Sequence, residues 1–408
     1  MMRSLYSGVA GLKSQQTGMD VVGNNIANVN TNGFKSGRAT FQDTLNQTLA
    51  GASSPTGTTG GTNPKQIGLG SGVGTIDTLF TDGSIQSTGK NTDLCLSGQG
   101  LFIVNDGASS YYTRNGAFQF DAQGNYVMPG SGLLVQGWMG NNTSTVDTNG
   151  SVGNIQIQAG KTMAAKETTA ATYKNNLSAD AAAGTAITTT ISAYDSLGTA
   201  HTVPVVFTKS ATANTWTLSA ATPLKDGTVV GFTPTADLTF TTAGAYAGGA
   251  ATLTLTPANG AAASTVTVDL KGLTQYSGES NIAAEADGYT AGTLKSVSID
   301  SSGIITGVYT NNQKIAEAQV AVGTCNNPSG LTKSGSSLYA TSNNSGTVTA
   351  QTVAASGSSL TPSALEMSNV DLASEFSTMI VTQRAFQSNS KIITVSDEMI
   401  ETLVNMKR

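Results

Sequence analysis

Histidine occurs once in this chain of 408 residues, at His201, and cysteine twice, at Cys95 and Cys325. A single histidine excludes a metal centre built on two or three of them. Any Ser-His-Asp or Cys-His mechanism would have to run through His201 itself. No catalytic residue, metal ligand or cofactor is therefore expected, and His201 reads as a surface or turn histidine. Two cysteines cannot make a disulfide scaffold or a four-cysteine zinc site. Both are expected as small buried hydrophobes, with a Cys95–Cys325 bridge left open. Charge is also scarce, at 11% of residues against roughly 25% in soluble domains. With 20 Lys+Arg and 25 Asp+Glu the net charge is −5, which argues against a nucleic-acid partner, because phosphate binding needs a basic face. No run approaches the ~18 to 20 apolar residues of a membrane helix, so no membrane insertion is expected. The first residues, MMRSLYSGVAGLKSQQTG, lack the apolar centre of a standard secretory signal. Phosphate-cradling glycine fingerprints and the G-x-S-x-G elbow are missing as well.

What the chain does have is a regular hydrophobic code at its two ends. Leu5, Leu12, Met19 and Ile26 recur every seven residues, flanked by Val9, Val22 and Val29. Leu372, Met379, Phe386, Ile393 and Ile400 do the same near the other end, widened by Phe376, Ile380, Leu403 and Val404. A seven-residue repeat keeps one helix face apolar and suits coiled-coil packing. Both stripes are narrow and their opposite faces are rich in Ser, Thr, Asn and Gln, so neither helix can bury its face alone. Each needs the other, or further copies of the chain.

Between the helices the pattern is that of strands. LCLSGQGLFIV, YYTRNGAFQFD and LLVQGWM are short apolar or alternating runs broken by Gly and Asn. Three D-x-x-G stretches, Asp121 to Gly124, Asp195 to Gly198 and Asp300 to Gly303, predict hairpin turns in which Asp accepts a backbone hydrogen bond and Gly takes the positive φ. Thr alternating with small apolar residues marks 146–284 as a separate β domain, inserted into an inner β domain made of 76–145 and 285–364. Residues 31–75, rich in Gly, Ser, Thr and Pro, read as an irregular linker. The terminal segments 1–30 and 365–408 form the helical polymerisation domain. The expected class is α+β, mainly β, with nested β domains and terminal α-helices pairing as a coiled coil.

The run Gly23-Asn24-Asn25-Ile26-Ala27-Asn28-Val29-Asn30-Thr31-Asn32-Gly33-Phe34-Lys35 closely resembles the N-terminal signature of the bacterial flagellar rod and hook axial proteins. Ser368-Asn369-Val370-Asp371, Gln383-Arg384-Ala385-Phe386-Gln387 and Asn389-Ser390-Lys391 sit where that family has its C-terminal signature. Tyr194-Asp195-Ser196-Leu197-Gly198 followed by His201, and Asn327-Pro328-Ser329-Gly330-Leu331, are similar to the hook branch of the family. The resemblance covers nearly the whole chain, is weakest from about 210 to 270, and departs locally at Thr324-Cys325-Asn326.

This resemblance implies a structural subunit, not an enzyme, that leaves the cell through the flagellar export apparatus without a cleaved signal. It implies a homopolymer of many copies: a curved hollow tube outside the cell that works as a universal joint between rod and filament. Its neighbours would be a rod protein at the base, and a hook-filament junction protein and hook cap at the tip. Asn24, Asn25, Asn28, Asn30, Thr31 and Gly33 are carried over as the family motif at the end of the first helix. The competing readings are a distal rod or other axial protein, and, from another class, an extracellular adhesion or glycan-binding β protein. That last reading needs exposed aromatic platforms, and Trp138 and Trp216 are the two tryptophans in the chain.

Overall fold

The computed structural model describes residues 2–55, 60–141, 145–220, 224, 226–234 and 237–406. Two helices, α1 (Met2–Ala27) and α2 (Leu372–Asn405), bracket a region whose regular structure is almost entirely strands. It divides into two compact units. One comprises Met1–Gln158, Val297–Thr306 and Ile315–Arg408; the other comprises Ala159–Ser296 and Gly307–Lys314.

The first unit contains both helices. α2 starts at Asp371, whose carboxylate accepts from the amides of Ala373 (2.9 Å) and Ser374 (3.5 Å) and so satisfies donors that the first turn leaves free. Its β core is an antiparallel array in which Leu134–Met139 pairs with Leu101–Asn105, that strand with Ser110–Thr113, and that in turn with Leu338–Ala340. Phe102 packs edge-to-face on Phe118, and Phe118 packs tilted against Tyr126, through its centre, with ring centroids 5.2 and 5.3 Å apart. Trp138 is buried in a neighbouring cluster with Leu101, Tyr112 and Tyr339.

The expected irregular linker is a structured element. β1 (Gly37–Asp43) pairs antiparallel with β4 (Ser71–Thr78), and β2 (Asn46–Ala50) with β3 (Lys65–Gly68). Every residue of β2 and β3 is exposed, so the backbone ladder and side-chain contacts such as Gln66 Nε2 donating to Thr48 Oγ1 (3.1 Å) hold this end of the hairpin, not a core. Such strands carry no apolar alternation, which is why composition alone reads them as loop. The hairpin lies on α1: Ser14 Oγ donates to the Ser71 carbonyl at 2.9 Å, and Gly18 meets the Phe41 ring.

The second unit is a pair of five-stranded sheets. Their inner faces share one core that includes Tyr173, Phe207, Trp216, Leu238, Leu253 and Leu273. The unit begins and ends later in the chain than the expected 146–284. Gly153–Asn154 pairs back onto Leu134–Met139 of the first unit, and Ala283–Ala286 onto Ala170–Ser178 of the second. Alternation in sequence does not reveal which sheet a strand joins. With Trp138 and Trp216 both buried, the tryptophan platforms that an adhesion reading requires are not at the surface.

All three D-x-x-G stretches form the same turn. In each, the Asp Oδ1 accepts two backbone amides at 2.8–2.9 Å and the Gly takes φ between +77° and +84°. Cys95 is buried and free, and burial pushes its thiol up to about 11. Cys325 is half-buried and also free. His201 departs from expectation: it is 3% exposed, between the buried carboxylate of Asp195 and that of Asp226. Asp195 is local, six positions away in the turn already legible, but Asp226, Thr228 and Asn259 come from loops distant in sequence, and they complete the enclosure.

Candidate functional site: the helical stem and its buried clasp

α1 and α2 pair antiparallel to make a stem. Gly8 faces Ile392 and Ile393, Gly11 faces Asn389, Gly18 faces Thr382, and Asn25 Nδ2 donates to Glu375 Oε1 at 2.9 Å. Positions 11, 18 and 25 thus meet 389, 382 and 375 in seven-residue steps, as coiled-coil geometry requires. On α1 this seam is built around glycines, Ser14 and Asn25, and on α2 it presents Asn389, Thr382 and Glu375 together with the larger Ile392 and Ile393. A Cβ on Gly11 would sit 2.7 Å from Asn389 Nδ2, so glycine is what lets the helices approach. Gly8, Gly11, Ser14, Gly18, Thr382 and Ser396 are buried.

The stripe residues flank this seam. Leu5, Leu12, Met19 and Ile26 on α1, and Met379, Ile393 and Ile400 on α2, are half-buried beside it. Leu372 and Phe386 are exposed, as are Phe376, Ile380, Val381, Met399, Leu403 and Val404. α2 therefore carries an apolar face that the partner helix leaves uncovered.

The asparagine motif fastens the stem to the β core. Asn25 is buried: its Nδ2 donates to the Gly37 carbonyl (2.8 Å) and its Oδ1 accepts the Gly37 amide (2.9 Å). That side chain joins the end of α1, the start of β1 and, through Glu375, α2. Asn28 closes the helix by donating to Asn24 Oδ1 (3.1 Å) and to the Asn24 carbonyl (2.9 Å). Its own Oδ1 accepts from the Thr31 hydroxyl at 3.1 Å. Asn30 is exposed. Gly33 adopts φ +67°, and its amide donates to the Glu366 carbonyl at 2.8 Å.

Beyond Gly33 lies a cluster of charge that sequence reasoning missed. Lys35, Arg114 and Glu366 are all buried. Lys35 Nζ donates to Glu366 Oε1 and to the Thr81 carbonyl, both at 2.6 Å. Arg114 reaches Glu366 Oε2 at 3.3 Å and the Leu96 carbonyl at 2.7 Å, with a further bond to the Gly98 carbonyl. Glu366 Oε1 also accepts the Gly83 amide at 2.9 Å. Burial and the nearby guanidinium lower the pKa of Lys35, opposed by its bond to Glu366. Next along, Asn369 Oδ1 accepts the Ser36 amide (2.8 Å) while its Nδ2 donates to the Leu79 carbonyl (2.9 Å). The clasp thus ties the segment after α1 to the segment before α2 and both to the β core. A lysine, an arginine and a glutamate far apart in sequence read as surface residues. The one local signal was that Lys35 closes the asparagine motif.

Gly33→Ala tests the clasp directly. A Cβ there would lie 2.5 Å from the Asn115 amide nitrogen and 2.7 Å from the Arg114 carbonyl carbon, on a backbone conformation that costs an L-residue about 1–3 kcal/mol before any clash. Chemical denaturation is expected to show the first unit destabilised by at least that amount. An unchanged midpoint would mean the segment relaxes freely.

Comparison with known proteins accounts for this architecture. The chain matches four family models: "Flagella basal body rod protein" over 5–35, "Flagellar hook protein FlgE/F/G D1 domain" over 95–172, "Flagellar basal body protein FlaE D2 domain" over 163–289 and "Flagellar basal body rod FlgEFG protein C-terminal" over 361–406. It is 40% identical over 448 aligned positions to the flagellar hook protein FlgE of Borreliella burgdorferi, covering 100% of both chains. It is 36% identical over 463 positions to FlgE of Treponema pallidum, again covering 100% of both. The flagellar basal-body rod protein FlgG of Bacillus subtilis is 34% identical over 410 positions, also at 100% of both chains. Matched from end to end, with both terminal models falling on the paired helices and the clasp, the chain belongs to the flagellar hook protein family, within the rod and hook axial proteins.

Proposed function

We propose that the chain is the repeating structural subunit of the bacterial flagellar hook, outside the cell, where it polymerises into a curved hollow tube. The observation that carries this reading is the apolar face of α2, left exposed although its helix is already paired within one chain. Exposed apolar surface on a rigid two-helix stem finds its cover in further copies, and repeated head-to-tail contacts build a helical polymer.

In this reading the terminal helices, within 1–30 and 365–408, line the inner layer. A bent tube that rotates must stretch and compress each row of subunits once per turn. Outer surfaces of Thr, Ser, Asn and Ala, with few charges, make contacts that exchange at low cost. The rod protein below, the hook-filament junction protein and hook cap above, and the export apparatus are the other partners this role calls for. No catalytic step is assigned to any residue.

A rod subunit is the second reading, favoured by the full-length likeness to the Bacillus FlgG protein. Electron microscopy of polymers grown from the purified chain separates the two. Curved or supercoiled tubes are expected; uniformly straight ones would move the assignment to the rod.

A further inference from the structure

The second unit holds a buried charge cluster around the chain's single histidine. His201 sits between two carboxylates, with Nδ1 2.6 Å from Asp226 Oδ2 and Nε2 3.1 Å from Asp195 Oδ2. Thr228 Oγ1 lies 3.1 Å from the same Nδ1. Asp195 has no room to adapt. Its Oδ1 accepts the amides of Leu197 and Thr199 at 2.9 and 2.8 Å, and its Oδ2 accepts Asn259 Nδ2 at 2.6 Å. A neutral imidazole has one N–H. It would turn a lone pair toward one of the two carboxylates at hydrogen-bond distance, which is repulsive. Only the imidazolium satisfies both.

We propose that His201 is a proton-operated latch: its imidazolium pins the Asp226–Thr228 segment to the Asp195 turn, and loss of one proton releases that segment. The charged groups facing the ring among the described residues are Asp195 and Asp226; Thr228 and Asn259 complete the shell as neutral partners. When the ring becomes neutral, its remaining N–H stays with the fully buried Asp195. Asp226, whose side chain is 44% exposed, turns to water instead. Burial alone would lower the pKa of His201, but hydrogen bonds to Asp226 and Asp195 and their charge outweigh it and leave it raised. Burial alone would raise Asp195, but hydrogen bonds from Asn259, His201 and the amides of Thr199 and Leu197 outweigh it and hold Asp195 down at about 2. The sign follows from linkage. With its folded pKa above the unfolded value, His201 stabilises fully below the ordinary histidine pKa of about 6.5, and that contribution is lost as pH rises through the folded value. The latch is closed below the ordinary histidine pKa of about 6.5 and opens as pH rises through the raised folded value. The inference rests on the second unit alone and does not depend on the hook reading.

His201 is the chain's single histidine, so its titration is unambiguous. Imidazole nitrogen-15 shifts of the full chain, kept below its assembly threshold, should show both nitrogens protonated below about pH 6.5 and a midpoint above that value. Amide exchange at Thr228, corrected for intrinsic base catalysis, should accelerate across that same midpoint. In His201→Gln, which carries no proton to lose, exchange at Thr228 should be fast throughout with no step. In Asp226→Asn the midpoint should fall. A midpoint at or below the ordinary value, a neutral single tautomer already present below it, or a Thr228 amide indifferent to the midpoint would each overturn the latch. The titration needs no variant, so the proposal stays testable if His201→Gln fails to fold.

Discussion

Glu366→Ala is expected to destabilise the first unit by about 3–5 kcal/mol, the cost of removing one partner from a buried ion pair and stranding the other. Two cations are stranded here, since Lys35 and Arg114 both lose the carboxylate that neutralises them. Each is 0% exposed, so water cannot take its place. Lys35 would then lose the bond that holds its proton against burial and the neighbouring guanidinium. The Gly83 amide would lose its acceptor as well. In a unit of this size about 1 kcal/mol moves a melting midpoint by roughly 2–4 °C, so a fall of about 6–20 °C is anticipated by calorimetry. Asp82→Asn is the control. Asp82 lies 3.5 Å from Arg114 but is 44% exposed, and exposed pairs contribute about 0–1 kcal/mol. Equal effects of the two substitutions would show that the buried carboxylate has no special place in the clasp.

The second large effect concerns assembly and should leave the isolated subunit nearly untouched. Ile380 and Leu403 are 59% and 54% exposed on α2. Replacing both with Glu, a good helix former, should change subunit stability by less than about 0.5 kcal/mol each, as is usual at exposed sites. If the polymer buries these side chains, about 1.5–3 kcal/mol is lost at each. The concentration needed for polymerisation should then rise about 10²- to 10⁴-fold. Sedimentation across a concentration series reads this out directly. A variant that polymerises at the unaltered threshold would remove the uncovered face of α2 from the mechanism.

The parts of the molecule legible in the sequence were those encoded by local periodicity or local turn chemistry. Leu372, Met379, Phe386, Ile393 and Ile400 mark a helix because a seven-residue repeat has one structural meaning over that length. Asp121, Asp195 and Asp300 mark turns because a short carboxylate reaches amides two and four residues on. The actual seam stayed hidden because its small residues carry no hydrophobic signal. Gly8, Gly11 and Gly18 lower helix propensity, and only the closeness of Asn389 and Thr382 shows their use. Charged and titratable groups misled in the same direction. Lys35, Arg114, Glu366 and His201 are residue types found mostly at surfaces, and their burial depends on partners up to 331 positions away. β1 to β4 were missed because exposed ladders need no apolar alternation.

The pairing of the two ends has a consequence for the order in which the molecule can be completed. Residues 35 and 366 must meet, and so must 25 and 375, before the two helices can rest on one another. Closing so long a loop is costly in chain entropy, though the cost grows only with the logarithm of its length. Prior folding of the intervening β units shortens the effective gap. Non-local contacts of this kind form late. A nascent or threading chain therefore travels with its leading segment unmatched until the trailing one emerges, and only then does it gain the rigid shaft that others can stack against.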